Sequence, residues 1–320
     1  MFHGGTNYGF GNGALDFGDG CQAFTTSYDY GASLDESGRP TITYYELRNI
    51  ISKHVSANSI PNVPTTPPLQ QIDSFKLKPI RGLSDNLHDV THVTAKSPVT
   101  MESLDAYTGY VLYEAKIQGA IDGVVKPGDK PRDRVIVYVN GVRQGVIDPI
   151  HTVINTVSVS LRPTDKLQLF VENLGRVDFD GAMSDQRKGI VGNVTVGGTD
   201  VHGWTSYSLP ADTESIGSND GPPMWYHGSF ENKHNGQAAD TYLAISGIKG
   251  QAYVNGFNLG RYWMVGPQQQ LYVPGSLLKN GHNDLVVLEL EPQVEPLTAE
   301  GCHSGVGFQM TTLTAGPAML

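Results

Sequence analysis

The chain has 320 residues, of which 39% are hydrophobic and 17% charged; its 38 Gly and 19 Pro exceed the ~12% that these two usually make up. Thirty-two Asp and Glu against 22 Lys and Arg leave a net charge of −10, a surface that repels a phosphate backbone and argues against nucleic-acid binding. This length suits two or three domains, and the abundance of turn formers excludes long Glu-, Lys- and Leu-rich helices as the main content. No segment approaches the ~18–20 apolar residues of a membrane span, and the opening Met1-Phe2-His3-Gly4-Gly5 is not expected to act as a signal peptide, since it has no basic or apolar region.

Residues 1–20 are rich in Gly and aromatics, and a loop continues through Thr25-Thr26-Ser27-Tyr28-Asp29-Tyr30. Thr43 and Glu46 have capping-box spacing. Behind them Tyr44, Leu47, Ile50, Ile51 and His54 recur at helical spacing, so residues 1–55 read as a strand end, a long loop and one amphipathic helix. Pro61, Pro64, Pro67 and Pro68 mark 56–72 as an extended linker.

From about residue 73 the pattern is β. Tyr110–Ile117 and Arg134–Val139 are partly alternating runs bounded by turn residues, and Asn140-Gly141 and Asn255-Gly256 are hairpin dipeptides. Tyr138-Val139-Asn140-Gly141 recurs as Tyr253-Val254-Asn255-Gly256. Each copy leads about thirty residues on to an apolar run, Leu167–Asn173 and Leu285–Glu291. Two β modules of similar design follow from that echo, placed at 73–200 and 201–320, and the strand spacing fits jelly-roll sandwiches.

Several constellations are weak. His88 and His92 have zinc-helix spacing, but no Glu sits beside the first and the context reads as loop or strand. Asp178-Phe179-Asp180-Gly181 hints at a calcium loop with its Gly misplaced, and reads as a turn. No metal or cofactor is expected. Two cysteines, Cys21 and Cys302, do not make a disulfide framework, and whether they pair is left open. Asn193-Val194-Thr195 is an N-glycosylation sequon. Trp204, Trp225 and Trp263 read as core or interdomain packing rather than sugar platforms.

Met1–Phe10 (MFHGGTNYGF), Thr26–Ala32 (TSYDYGA), Tyr45–Ile51 (YELRNII), Phe170–Arg176 (FVENLGR) and Val254–Trp263 (VNGFNLGRYW) together resemble the β-galactosidases of glycoside hydrolase family 35, closest to the lysosomal, animal-type members. The resemblance runs with gaps from residue 1 to about 310. It implies the remnant of a (β/α)8 barrel (last strand, loop and helix, residues 1–55) followed by two antiparallel jelly-roll, galactose-binding-like β-sandwich domains, a mainly β fold. In such barrels the active site lies at the loops following the strands. The resemblance therefore places Tyr30 in the galactose pocket, with Gly4, Gly5, Thr6 and Asn7 as the adjoining strand end. It implies galactose-terminated glycans as partners and a lysosomal, vacuolar or secreted location for the full-length protein, and it leaves room for a homo-oligomer.

The same resemblance shows what to look for and not find. Retaining glycosidases use two carboxyl groups ~5–5.5 Å apart. The family takes its acid/base from an Asn-Glu dipeptide and its nucleophile from a Ser-Glu dipeptide, and this sequence contains neither. Asp16, Asp19, Asp29, Asp35, Glu36 and Glu46 are the local carboxylates, and none reads as a replacement. The expectation is a C-terminal part of a β-galactosidase, inactive alone, whose catalytic glutamates lie upstream. The rival is a non-catalytic carbohydrate-binding or structural module. It predicts an exposed aromatic face among Trp225, Tyr226, Tyr262 and Trp263, whereas the first reading predicts poor packing within residues 1–55.

Overall fold

The structure is a computed structural model that describes residues 2–18, 20–28, 31–66, 68–82, 87, 89–151, 155–209, 211, 223–232, 239–266, 268–292 and 296–302. In chain order its strands are β1 (Gly5–Thr6), β2 (Ala14–Asp16), β3 (Cys21–Ala23), β4 (Ser27–Tyr28), β5 (Ile72–Lys76), β6 (Lys78–Gly82), β7 (His92–Ala95) and β8 (Tyr110–Lys116). They continue with β9 (Ile121–Pro127), β10 (Arg134–Val139), β11 (Val142–Ile147), β12 (Ser158–Leu161), β13 (Lys166–Glu172), β14 (Val194–Val196), β15 (Thr199–Val201) and β16 (Trp204–Leu209). The last are β17 (Met224–Asn232), β18 (Thr241–Ile245), β19 (Lys249–Val254), β20 (Phe257–Trp263), β21 (Gln270–Val273), β22 (Gly281–Glu289) and β23 (Thr298–Cys302). Among the described residues the one α-helix is α1 (Ile42–Ser52).

The chain divides into two compact units. One comprises residues 12–24 and 81–209. It is a sandwich of a six-stranded sheet, β11-β10-β13-β8-β16-β7, and a four-stranded sheet, β12-β9-β14-β15. Its core includes Met101, Tyr113, Leu161, Leu169 and Trp204, all essentially without solvent exposure. The alternation seen in the sequence is the reason: one face of each strand supplies the apolar layer between the sheets.

The other unit comprises residues 2–11, 25–80 and the chain from 223 on. A five-stranded sheet, β20-β19-β22-β17-β6, lies with a four-stranded sheet, β21-β18-β23-β5. Leu243, Leu259, Leu271, Leu285 and Val287 are among its core residues. Strand pairing therefore differs from the module ranges read at 73–200 and 201–320. β5 and β6 hydrogen-bond with strands more than 140 residues further on, β16 closes onto β8, and the hairpin of β2 and β3 belongs to the unit of the first sandwich.

The internal echo is a structural repeat. Asn140 and Gly141 have φ of 50° and 78°, and Asn255 and Gly256 have 51° and 84°, the left-handed pair that two-residue hairpins require. In both hairpins the register shifts at the preceding tyrosine, between Val137 and Tyr138 and between Ala252 and Tyr253. The Asn Oδ1 then accepts the backbone N–H of the third strand, Lys166 in one copy and Asp284 in the other.

Residues 42–52 form the expected helix, but its start differs. Thr41, not Thr43, is the N-cap, and its hydroxyl donates to the carbonyls of Ala32 and Ser33 at 2.8 and 3.1 Å instead of capping. Thr43 and Glu46 thus lie inside the helix and form no capping box. No residue of α1 is buried, and Ile42, Tyr45, Leu47, Ile50 and Ile51 are all exposed.

Candidate functional site

The candidate pocket edge is a strand pair built by bare backbone. β1 pairs antiparallel with β4, Gly5 opposite Tyr28 and Thr6 opposite Ser27, and the Asn7 N–H extends the ladder to the Thr26 carbonyl at 2.7 Å. On the other side the Gly4 N–H reaches the Leu34 carbonyl at 2.8 Å. Nothing lies within 4 Å of where a Cβ on Gly5 would sit, so a ligand can approach the main chain there. Tyr28, directly across, is 37% exposed. Tyr30 and Asp29 lie outside the described residues, as do Asp19 and His88.

The pair is held from below by β20 and its neighbours. Thr26 Oγ1 donates to the Arg261 carbonyl at 2.9 Å, the Ser27 N–H donates to Gln268 Oε1, and Gln251 Nε2 donates to the Gly9 carbonyl at 2.9 Å. The Gly9 N–H in turn donates to the Asn258 carbonyl, and Tyr8 meets Phe257 edge-on with ring centroids 5.1 Å apart. Sequence reading missed Gln251, Asn258 and Gln268. They lie more than 230 residues from their partners, and nothing local marks them.

The carboxylates nearby are occupied structurally. Thr6 Oγ1 donates to Glu36 Oε1 at 3.0 Å, and Asp35 organises its own turn by accepting the N–H groups of Ser37 and Arg39. Burial, followed by the proximity of Glu36 and Asp240, pushes Tyr8 up to about 12 despite a hydrogen bond with Thr6. Asp16 is buried, which raises its pKa, but the hydrogen bond from Lys130 and its neighbouring N–H groups outweigh this and hold the carboxyl below the usual range. Glu46 is exposed on α1. Glu36, Asp35 and Asp16 thus each hold a local structural partner.

Elsewhere, Asp180 takes φ of 68° and its side chain accepts the Gly181 N–H, capping a short 3-10 helix at Gly181–Ser184 where the sequence reads as a turn. Cys21 and Cys302 are free thiols. Asn193 is exposed, with Oδ1 accepting from Ser97 and Nδ2 donating to Asp200. The exposed aromatic face that a binding module predicts does not form among these four residues. Trp225, Tyr226 and Tyr262 are buried, and the Lys249 ammonium lies 4.0 Å over the Trp263 ring. Trp204 is fully buried and donates to the Val201 carbonyl, a core role.

Two antiparallel sandwiches, preceded by a strand pair, loop and helix, define a modular, mainly β protein with an appended strand–loop–helix segment. Three family models match parts of this chain. Residues 1–54 match glycosyl hydrolases family 35, residues 98–210 the first all-beta domain of beta-galactosidase, and residues 223–283 the galactose-binding domain of beta-galactosidase. The three matched models are all domains of the β-galactosidase hydrolases. It is 34% identical over 315 residues to human beta-galactosidase-1-like protein 2, covering 90% of this chain and 47% of the relative. It is 33% identical to the beta-galactosidase of Macaca fascicularis (91% and 46% covered) and 32% identical to beta-galactosidase 17 of Arabidopsis thaliana (92% and 48%). The chain thus spans about half the length of the curated relatives it matches.

Proposed function

We propose that this chain forms one edge of the sugar pocket, and the β-sandwich support beneath it, of a β-galactosidase that removes terminal non-reducing β-D-galactose from glycoconjugates by double displacement with retention. The observation that carries this is the segment 1–54. It matches the hydrolase family itself, and its Gly4–Asn7 strand end is paired to the Thr26–Tyr28 segment that leads into Tyr30. In this reading β1, its loop and α1 close a (β/α)8 barrel. Tyr30 lines the pocket by offering an apolar ring face and a phenolic hydroxyl to a galactose ring. Gly4, Gly5, Thr6 and Asn7 leave the backbone accessible beside it.

In this reading the acid/base and nucleophilic carboxyl groups come from polypeptide outside these 320 residues, since the sequence holds neither the Asn-Glu nor the Ser-Glu dipeptide of the family it resembles. The uncovered apolar residues of α1 fit a helix whose neighbours belong to that same polypeptide. The protein acts in a lysosomal, vacuolar or secreted setting, where Asn193 carries a glycan. The experiment is hydrolysis of an aryl β-galactoside by the purified 320-residue chain and by the full-length protein. Turnover is expected only for the latter, and Tyr30→Phe in it is expected to lower kcat/KM. Turnover by the 320-residue chain alone, persisting through repurification, refutes the assignment of the catalytic carboxylates.

A further inference from the structure

The hydroxyl of Thr41 is directed away from the helix it precedes. Thr41 is the N-cap of α1 and has the extended backbone of a cap, yet its side chain bonds no N–H of the helix. A threonine there ordinarily accepts one of the unpaired amides of the first turn. Here Oγ1 instead donates to the carbonyls of Ala32 at 2.8 Å and Ser33 at 3.1 Å, and the Thr41 N–H also reaches the Ser33 carbonyl at 3.0 Å.

Those two carbonyls belong to the return stem of the loop that follows the strand pair. The chain leaves β1 on one edge, where Tyr28 lies opposite Gly5. It comes back along the other edge, where the Leu34 N–H donates to the Phe2 carbonyl and the Gly4 N–H to the Leu34 carbonyl, both at 2.8 Å. Ala32 and Ser33 are buried, so carbonyls in this stem need donors from the protein. Asp35 then folds the chain back by accepting the N–H groups of Ser37 and Arg39, which brings Pro40 beside Leu34 in an antiparallel bridge. Glu36, on that turn, accepts the Thr6 hydroxyl of β1 at 3.0 Å. The N-cap of α1 is thereby attached to the loop stem, and through the stem to β1.

We propose that Thr41 is a positioning residue for the galactose pocket: its hydroxyl fixes the stem that follows Tyr30 in the chain, and the helix forgoes its side-chain cap as a result. The inference rests on the reading of Tyr30 as a pocket residue and adds what holds that loop in register. Thr41 acts through the backbone of Ala32 and Ser33, not on the sugar. A stem displaced from β1 moves the ring that meets galactose. That contact is made in the ground state as well as the transition state, so weakening it raises KM more than it lowers kcat. A merely structural cap behaves differently, because losing it lowers the fraction of folded enzyme, which lowers kcat and leaves KM unchanged.

The test uses the full-length protein and an aryl β-galactoside. Thr41→Val removes the donor at nearly constant shape and is expected to raise KM, and the inhibition constant of galactose, about tenfold. Thr41→Ser keeps the donor and should retain the parent KM. Thr41→Asp decides between the two roles, because aspartate is a strong N-cap but has no proton to give to a carbonyl. It is expected to raise KM as Thr41→Val does, and should Thr41→Val not fold, the aspartate and serine variants carry the comparison. Hydrogen exchange at the Leu34 amide in the 320-residue chain reads the stem without any turnover, and should quicken in the valine and aspartate variants alone. The inference is overturned if both of these keep the parent KM, if aspartate restores what valine loses, or if kcat alone falls. A full-length parent without turnover refutes the hydrolase reading and this inference with it, even where exchange at Leu34 responds.

Discussion

Gly260 is the position at which the fold beneath the candidate pocket is most sharply testable. It has φ of +113°, and an added Cβ would sit 2.7 Å from Thr26 Cγ2, 3.1 Å from Thr26 Oγ1 and 3.4 Å from the Asn7 carbonyl. Gly260→Ala therefore incurs two costs. An L residue forced to positive φ loses about 1–2 kcal/mol. Overpacking against Thr26 adds about 1–3 kcal/mol. The sum, about 2–5 kcal/mol, is a large share of a typical domain stability of ~5–15 kcal/mol. Gly145 is the control. It occupies the same place in the first hairpin, has no positive φ, and a Cβ there would meet Val157 Cγ2 at 2.8 Å, so Gly145→Ala carries only the overpacking cost. Urea unfolding of the two variants and the parent measures both, and hydrogen exchange at the Asn7 amide reads the local effect. Thr26→Ser in the Gly260→Ala background removes the clashing methyl and should restore part of the loss, a coupling that a double-mutant cycle isolates. The reasoning is refuted if Gly260→Ala costs less than Gly145→Ala, or if Thr26→Ser restores nothing.

Other predictions concern the first sandwich. Lys188 and Asp133 are both buried and paired at 2.8 Å, with Cys21 Sγ 3.4 Å from the ammonium. Lys188→Met leaves a buried carboxylate unpaired and should cost about 3–5 kcal/mol in urea unfolding, and adding Asp133→Asn, which keeps the acceptor for the Leu174 N–H, should recover much of it. Burial raises the Asp148 pKa, but His151, the N–H of its own turn and Arg134 outweigh that and hold the carboxyl below its ordinary value. A folded value below the unfolded ~3.9 gives stability that is fully present above about pH 4 and lost as pH falls through the folded value. Asp148→Asn should flatten that part of the pH profile of unfolding, and an unchanged profile counts against the ion-pair account.

What was legible in the sequence was local. Asn140-Gly141 and Asn255-Gly256 announce their hairpins because the turn needs two consecutive positive φ values, which a two-residue window reveals. Helix α1 was legible from its spacing, but not its cap, because the Thr41 hydroxyl is engaged by Ala32 and Ser33 in a loop with no periodicity. Module limits were not legible. β5 and β6 return to strands that lie far along the chain, and no property of Ile72–Gly82 names those partners. For the candidate site, the Gly-Gly-Thr-Asn strand end and its pairing segment were found through the resemblance, whereas the supporting Gln268 and Asn258 depend on long-range contacts.

The repeated hairpin explains why the second sandwich is the one that holds the Gly4–Asn7 strand end. In both copies a glycine follows four residues after the turn glycine, Gly145 and Gly260, and in both another segment crosses directly over it. In the first copy the crossing residue is Val157, which leads into the sandwich's own β12. In the second it is Thr26, the residue that leads into β4 and whose carbonyl holds Asn7. One close-approach notch thus serves two ends: internal sheet packing in one module and docking of a strand pair from the N-terminal segment in the other. The flanking residues follow that difference. Val142, just past the first turn, is 64% exposed, whereas its counterpart Phe257 packs against Tyr8 and Asn258 binds Gly9. The strand end at Gly4–Asn7 therefore keeps its place through contacts with β20, while α1, which has no such notch, keeps its apolar residues uncovered.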